Sequence, residues 1–275
     1  MEKIIVPIDF SEHSEHALKA AAALARKNKT EIIVLNMLEM SDIMLTATGG
    51  DQKEKALFFH KLAEQELKLF LKKDYLKHIK ITPIIKQFKV FTEVNEVALK
   101  HHADLVVMGS HGVTGVKELV IGSNTERVVR SSNIPVLVVK NELASVDFKN
   151  VVFACDFSKE TIKAYINVLK MFNDAKITIV YVNLPNDRFR SSDEIEQSAK
   201  DFFMTADGHL KQMQNFHCIS DYTPESGILN FSKKIGADII AIPTHGRKGI
   251  AHFLEGSIGE DIANHASLPV MTFKV

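Results

Sequence analysis

The chain has 275 residues, of which 45% are hydrophobic and 25% are charged, with 34 Lys and Arg against 34 Asp and Glu. These are the proportions of a soluble globular protein, and the length predicts two domains that each bury a core. The formal net charge of zero argues against nucleic acid as the main partner, because no basic excess is available to neutralise a phosphate backbone.

Targeting and redox features predict a cytoplasmic protein. The opening apolar stretch is too short for a secretory signal, since Pro7 and Asp9 interrupt it. The sequence has no run of 18 consecutive apolar residues that would predict a membrane span, so no membrane partner is expected. The only two cysteines, Cys155 and Cys218, form no C-x-x-C motif, which favours buried thiols in a reducing cytoplasm over a disulfide or a zinc site.

Short apolar runs alternate with segments of helical period along the chain. The first half has predicted strands at residues 2–8, 30–37, 79–87, 103–109 and 135–140, and predicted helices at 12–28, 52–77, 92–102 and 123–132. The second half has predicted strands near residues 149–155, 175–183, 216–222, 238–243 and 269–274. This alternation predicts βαβ units in an α/β fold. The leucines of the 52–77 helix are predicted to pack into the core rather than to bind a partner.

The two halves of the sequence repeat one another. Residues 3–11 recur as 150–158, and residues 103–105 recur as 237–239. The repeat predicts two tandem Rossmann-like domains, 1–143 and 144–275, related by a pseudo-two-fold axis. Each is expected to be a mostly parallel five-stranded sheet with helices on both faces. The final strands of the two halves, rich in β-branched residues, are predicted to lie at sheet edges, where unpaired backbone groups can pair with another strand.

A glycine-rich segment follows the fourth predicted strand. Met108, Gly109 and Gly112 come first, and Gly122, Ser123, Asn124 and Thr125 then open the next helix. Backbone N–H groups of glycines and of a helix N-terminus bind anions, and the hydroxyls of Ser123 and Thr125 are candidate donors to phosphate. A plain turn with Ser123 as the helix N-cap is an equally open interpretation. The spacing is not that of a Walker A loop.

Asp9 ends the first predicted strand, just before a helix that Ser11 is placed to cap. Ligands of parallel sheets bind beyond the carboxyl ends of the strands, where the strand order reverses. A carboxylate there can accept hydrogen bonds from ribose hydroxyls or from a base edge. Its other interpretation is a helix-capping residue, and both stay open.

These two segments together resemble the universal stress protein family. The resemblance lies in Val6-Pro7-Ile8-Asp9-Phe10-Ser11 and in the spacing of Gly109, Gly112, Gly122 and Ser123, and it covers nearly the whole chain twice. It implies tandem ATP-binding domains, with Mg²⁺ bound beside ATP. It also implies that the domains pair within the chain through their final strands, which we therefore predict to lie antiparallel. Carried over by position, it implies an adenosine side of Pro7, Ile8, Asp9 and Met37. It also implies a ribose and phosphate side of Met108, Gly109, Gly112, Gly122, Ser123, Asn124 and Thr125.

The second half departs from this pattern. Pro243 stands where the first half has Gly109, and proline has no N–H to donate. Ala154 and Cys155 replace Pro7 and Ile8, whereas Asp156, Gly246, Gly256 and Ser257 remain. The second site is therefore predicted to be degenerate for ATP, although Arg247 and Lys248 offer charge to some other anion.

Histidines offer few other candidates. His111 and His245 recur in glycine turns and are interpreted as structural or solvent-facing rather than as catalytic bases. His13 and His16 share a helix face, whereas His101 and His102 point apart. No metal site is predicted, because no Cys or carboxylate cluster completes either pair.

The sequence thus favours a stress-response protein that binds ATP in its first domain and acts as a binding or sensing module. No nucleophile–base pair predicts catalysis beyond slow ATP hydrolysis. The alternatives are a small-molecule or metal carrier that uses the second-domain or inter-domain cavity, and a slow Mg²⁺-dependent ATPase. A homodimer of tandem chains also remains open.

Overall fold

The computed structural model describes residues 1–38, 50–87, 92–110, 123–185, 189–244, 262 and 266–275. Its strands are β1 Lys3–Ile8, β2 Glu31–Leu38, β3 Ile81–Gln87, β4 Leu105–Gly109, β5 Val136–Val139, β6 Asn150–Ala154, β7 Lys176–Asn183, β8 Phe216–Ser220, β9 Ile239–Thr244 and β10 Val270–Lys274. Its α-helices are α1 Glu12–Asn28, α2 Gly50–Phe70, α3 Thr92–Lys100, α4 Ser123–Ser131, α5 Thr161–Met171, α6 Ser192–Asp207 and α7 Pro224–Lys234.

The predicted α/β alternation is confirmed, and each predicted strand agrees with an observed one to within about two residues at either end. Strands such as β1 and β4 are buried along almost their whole length, as expected of parallel strands covered on both faces. Among the described residues, no helix is both long and apolar enough to cross a membrane.

The chain forms two compact units. The first holds the described residues within 1–116, 122–134 and 139–146, and its strand order is β3-β2-β1-β4, all parallel. The second holds the described residues within 135–138 and 147–275, and β9-β6-β7-β8 repeats the same parallel order. The boundary predicted after residue 143 stays a prediction.

The predicted antiparallel pairing of the two final strands is confirmed within the second unit. Val138 lies opposite Val270, and Leu137 lies opposite Met271. On its other side β10 pairs with β9 in parallel. The second unit therefore completes its sheet with residues 135–138, which the sequence assigned to the first half.

One carboxylate fixes the start of the sheet in each unit. Asp104 Oδ2 accepts hydrogen bonds from the backbone N–H groups of Glu2, at 2.5 Å, and Lys3, at 3.1 Å. Asp238 Oδ2 does the same for Lys149 and Asn150, both at 2.8 Å. The repeated Ala-Asp motif thus joins the first strand of each repeat to the fourth, which aligns their carboxyl ends.

The prediction for residues 52–77 was wrong in two respects. Helix α2 ends at Phe70, and a separate 3-10 turn covers Asp74–Leu76. The segment after the break contacts α1, since Lys73 Nζ lies 3.2 Å from Glu15 Oε1 and the Arg26 guanidinium donates to the carbonyl of Tyr75. The leucines predicted for the core include Leu57, Leu62 and Leu69, and all three are exposed.

Candidate functional site

The carboxyl ends of β1 and β4 lie side by side in the first unit. Ile4 is in register with Leu105, and Ile5 is in register with Val106. Strand β2 lies on the other side of β1, so the strand order reverses between β1 and β4. This is the position at which parallel α/β sheets bind ligands.

Asp9 forms a turn at the end of β1. Its Oδ1 accepts hydrogen bonds from the backbone N–H of Ser11, at 3.1 Å, and from the Ser11 hydroxyl, at 2.6 Å. Ser11 in turn caps α1 by accepting from the N–H of Ser14. Phe10 between them has φ 65°, a left-handed conformation that this tight turn requires. The capping interpretation of this turn is thus present, and the nucleoside role of Asp9 stays a prediction.

The second unit repeats this turn. Asp156 Oδ1 accepts from the Ser158 N–H, at 2.9 Å, and from the hydroxyls of Ser158 and Thr161, both at 2.8 Å. Phe157 has φ 61°. The turn therefore does not by itself distinguish a binding domain from a degenerate one.

The N-terminus of α4 is anchored to the end of β4. The Thr125 hydroxyl donates to the carbonyl oxygen of Gly109 at 2.8 Å, and Thr125 is buried. Because a threonine hydroxyl has a single proton, this bond leaves none to donate to a phosphate. Backbone N–H groups at the start of α4 remain the means by which this segment can bind an anion.

The residues predicted for the adenosine side meet at the ends of β1 and β2. Pro7 and Ile8 are buried at the end of β1, and Met37 is half-buried on β2. Met108, on β4, is buried, and Asn124, in the first turn of α4, is half-buried. Gly112 and Gly122 lie outside the described residues, as do His111, His245 and residues 246–257, and the side chain of Ser123 is not described.

Asn36 is a candidate that sequence reasoning missed. It lies opposite Ile8 in the sheet and donates from Nδ2 to the Ile8 carbonyl at 3.1 Å. Its Oδ1 is buried and has no hydrogen-bond donor among the described residues. Leaving a buried amide oxygen unpaired costs about 1–3 kcal/mol, so the geometry points to a donor from outside the strand. The signal in the sequence was a single amide within the apolar run of β2.

The second unit fills the corresponding region with aromatic rings. Tyr181 holds the position on β7 that Asn36 holds on β2, and it stacks on Phe157 with ring centroids 5.5 Å apart. Phe202 and Phe216 contact the edges of Phe157. Pro243 lies within β9, in register with Phe273 of β10. Burial raises the pKa of the Cys155 thiol well above its usual value, so this side chain is a neutral part of the core. The prediction that Cys218 is also buried was wrong, since it is exposed.

His13 and His16, the histidine pair predicted to share a helix face, lie close together on α1. The rings of His13 and His16 meet edge to face with centroids 6.3 Å apart, and His13 Nδ1 lies 3.2 Å from the carbonyl oxygen of Lys140. Within the described part of the chain, no group of three His, Cys, Asp or Glu side chains is arranged to hold a metal ion.

Comparison with known proteins gives the family. The model of the universal stress protein family matches residues 1–140 and again residues 147–274. Universal stress protein MJ0577 of Methanocaldococcus jannaschii is 34% identical over 155 residues, which cover 51% of this chain and 96% of that protein. Universal stress protein MJ0531 of the same organism is 30% identical over 139 residues, covering 50% of this chain and 82% of that protein.

A solved structure shares the fold over the full length. The crystal structure of a universal stress protein from Archaeoglobus fulgidus aligns with a TM-score of 0.74 at 22% identity and covers 99% of this chain and 98% of that one. The two family matches account for nearly all of the sequence, and each contains the βαβ arrangement described above. The chain therefore belongs to the universal stress protein family, as a tandem member with two copies of the family domain.

Proposed function

We propose that the first domain binds ATP, with Mg²⁺, and that the protein acts as a nucleotide-dependent binding or sensing module in a stress response. The observation that carries the proposal is the hydrogen bond from Thr125 to Gly109, 2.8 Å long, because it brings the start of α4 to the carboxyl end of β4. The partial positive charge of a helix N-terminus is suited to phosphate oxygens.

The residues on the other side of β1 fit a nucleoside. Asp9 provides a carboxylate at the end of β1, where ribose hydroxyls would find an acceptor. Asn36 Oδ1, buried and without a donor among the described residues, would accept a hydrogen bond from a ligand group such as an exocyclic amine. Pro7, Ile8 and Met37 would provide apolar surface for the base. Bound Mg²⁺ would neutralise charge on the phosphates.

The proposal assigns one nucleotide to each chain. In the second domain Tyr181 stacks on Phe157 at the strand position where the first domain has Asn36, so an aromatic ring replaces the amide beside the turn. Pro243 also lacks the N–H that Gly109 carries. Both differences support a second domain that does not hold ATP in this way.

The two aspartates allow a matched test on the full chain. Asp9→Asn and Asp156→Asn each keep an oxygen that can accept from the following serine, and each removes one negative charge. Titration calorimetry with ATP and MgCl₂ is expected to give one site per chain in the wild type. Asp9→Asn should weaken binding by roughly 1 kcal/mol, about fivefold, because a charged acceptor becomes neutral. Asp156→Asn should bind as the wild type does.

Three outcomes would contradict the proposal. They are a wild type that binds no ATP, a stoichiometry of two with equal affinities, and the same loss of affinity in both variants. Thermal melting of each variant checks that the turn still forms. Native mass spectrometry of protein purified without added nucleotide would add support if an adenine nucleotide co-purifies, and would oppose the proposal if a different small molecule does.

A further inference from the structure

Helix α2 exposes an unusual amount of apolar surface. Leu57, Phe58, Phe59, Leu62 and Leu69 are between 43% and 64% exposed. On the opposite side of the helix, Ala63 and Leu67 are buried. The five exposed side chains present roughly 500 Å² of apolar area, spread over more than one face of the helix.

Three of these side chains form one line along the helix. Phe58, Leu62 and Leu69 are separated by four and seven residues, and the exposed Gln65 occupies the position between the last two. We call Phe58, Leu62, Gln65 and Leu69 the α2 stripe. Its spacing of four, three and four residues is that of the core positions of a two-stranded coiled coil. Leu57 lies about 140° away from Leu62 around the helix, on a different face.

The charges beside the α2 stripe fit a second α2 helix in one orientation. In a parallel, in-register pair, Lys61 of each copy would face Glu66 of the other, which gives two symmetric ion pairs. Both residues are exposed. In the antiparallel pairing that sets Phe58 against Leu69, Lys61 would instead face Lys68. A parallel pair also sets Gln65 against its own copy, where two amides can hydrogen-bond and fix the register.

The apolar area of the α2 stripe fits a weak, reversible association between two chains. Phe58, Leu62 and Leu69 contribute roughly 350 Å² of the exposed apolar area, so pairing the stripes of two copies would cover about 700 Å² of it, and the flanking polar side chains add to the buried surface. The described parts of the chain leave this face of α2 exposed. We propose that a second copy of this chain docks on the α2 stripe, with the two α2 helices parallel and in register. This inference is independent of the nucleotide site.

Two leucines of the same helix provide the test. Leu62→Glu places a charge within the α2 stripe, whereas Leu57→Glu places the same charge on an exposed position outside it. Sedimentation of the full chain is expected to show a dimer for the wild type and for Leu57→Glu, and a monomer for Leu62→Glu. Each variant should keep a cooperative melting transition, because neither side chain is buried in the monomer, and the melting temperature should depend on protein concentration where the dimer forms. A monomeric wild type, or a dimer that survives Leu62→Glu, would overturn the proposal.

The orientation has its own test. Lys61→Glu and Glu66→Lys should each raise the dimer dissociation constant severalfold, and the double variant should restore it. Gln65→Cys in a Cys218→Ser background should form a disulfide-linked dimer on mild oxidation, since only a parallel, in-register pair brings these positions together. An intact dimer that does not cross-link, or a double variant no better than the single ones, would overturn the parallel arrangement.

Discussion

Gly109 lies so close to His13 that no side chain fits between β4 and α1. A Cβ atom built on Gly109 would be 2.6 Å from the carbonyl oxygen of His13 and 2.7 Å from its carbonyl carbon. These are backbone atoms of a helix, which cannot move aside as a side chain can. The sequence suggested that this glycine serves an anion, but close packing of strand and helix already requires it.

We expect Gly109→Ala to lower the free energy of unfolding by about 1–3 kcal/mol, as overpacking of a buried site does. Gly227→Ala is the matched control, because a Cβ there would meet the side chains of Val182 and Asp221, at 2.9 and 3.1 Å. The helical preference of alanine offsets part of that strain. Urea unfolding of the two variants compares them, and equal losses would contradict the backbone clash. Loss of nucleotide binding in a Gly109 variant would thus not by itself locate the site.

The bond between Thr125 and Gly109 predicts an order of stability. Thr125→Val keeps the shape but removes the donor, so the Gly109 carbonyl should lose its partner at a cost of about 1–3 kcal/mol. Thr125→Ser keeps the hydroxyl and loses one methyl group, at a cost of about 0.8 kcal/mol. Urea unfolding should therefore rank serine above valine. The reverse order would show that methyl packing, not the hydrogen bond, holds α4 to β4.

The pairing of β5 with β10 predicts a strong effect of charge at Val138. This residue is 2% exposed and lies opposite Val270. We expect Val138→Asp to destabilise the protein by at least about 3 kcal/mol, because an unpaired carboxylate would be buried. Val138→Ala should cost about 1–2 kcal/mol through the lost methyl groups. Similar losses in the two variants, measured by denaturant unfolding, would mean that the strand separates from β10 easily.

Glu31 predicts a pH dependence of stability. Hydrogen bonds from Lys80, at 2.9 Å, and Thr82, at 2.5 Å, hold the pKa of this carboxyl below its ordinary value of 4.5. A lowered pKa in the folded state means that ionised Glu31 adds stability above the unfolded value and loses it as the pH falls through the folded value. Glu31→Gln should therefore melt below the wild type at pH 7, and the difference should narrow below about pH 4.

The control for Glu31 is an exposed ion pair. Glu126→Gln removes the partner of Arg130 on α4, which lies 3.0 Å away at the surface. Such pairs contribute little, so its melting temperature should stay close to that of the wild type at pH 7. A gap for Glu31→Gln that widens on acidification would contradict the sign derived above.

The sequence alone determined the α/β alternation and the duplication of the chain. Burial on both faces makes β1 and β4 continuous apolar runs, and this local pattern is readable without contacts. The position of Asp9 and Gly109 at the ends of β1 and β4 followed from the same pattern, because parallel strands place their carboxyl ends at one edge. The antiparallel pairing of the final strands was predicted from the family resemblance together with the duplication.

Only the tertiary structure decided what individual atoms do. The Thr125 hydroxyl donates its hydrogen bond to the Gly109 carbonyl, and Asn36 Oδ1 lacks a donor among the described residues. The apolar side of α2 was predicted to be core, yet Leu62 and Leu69 face outward. Each of these outcomes depends on contacts between residues far apart in the chain. Hydrophobic periodicity shows that a helix has an apolar side, but the path of the rest of the chain determines whether that side is covered.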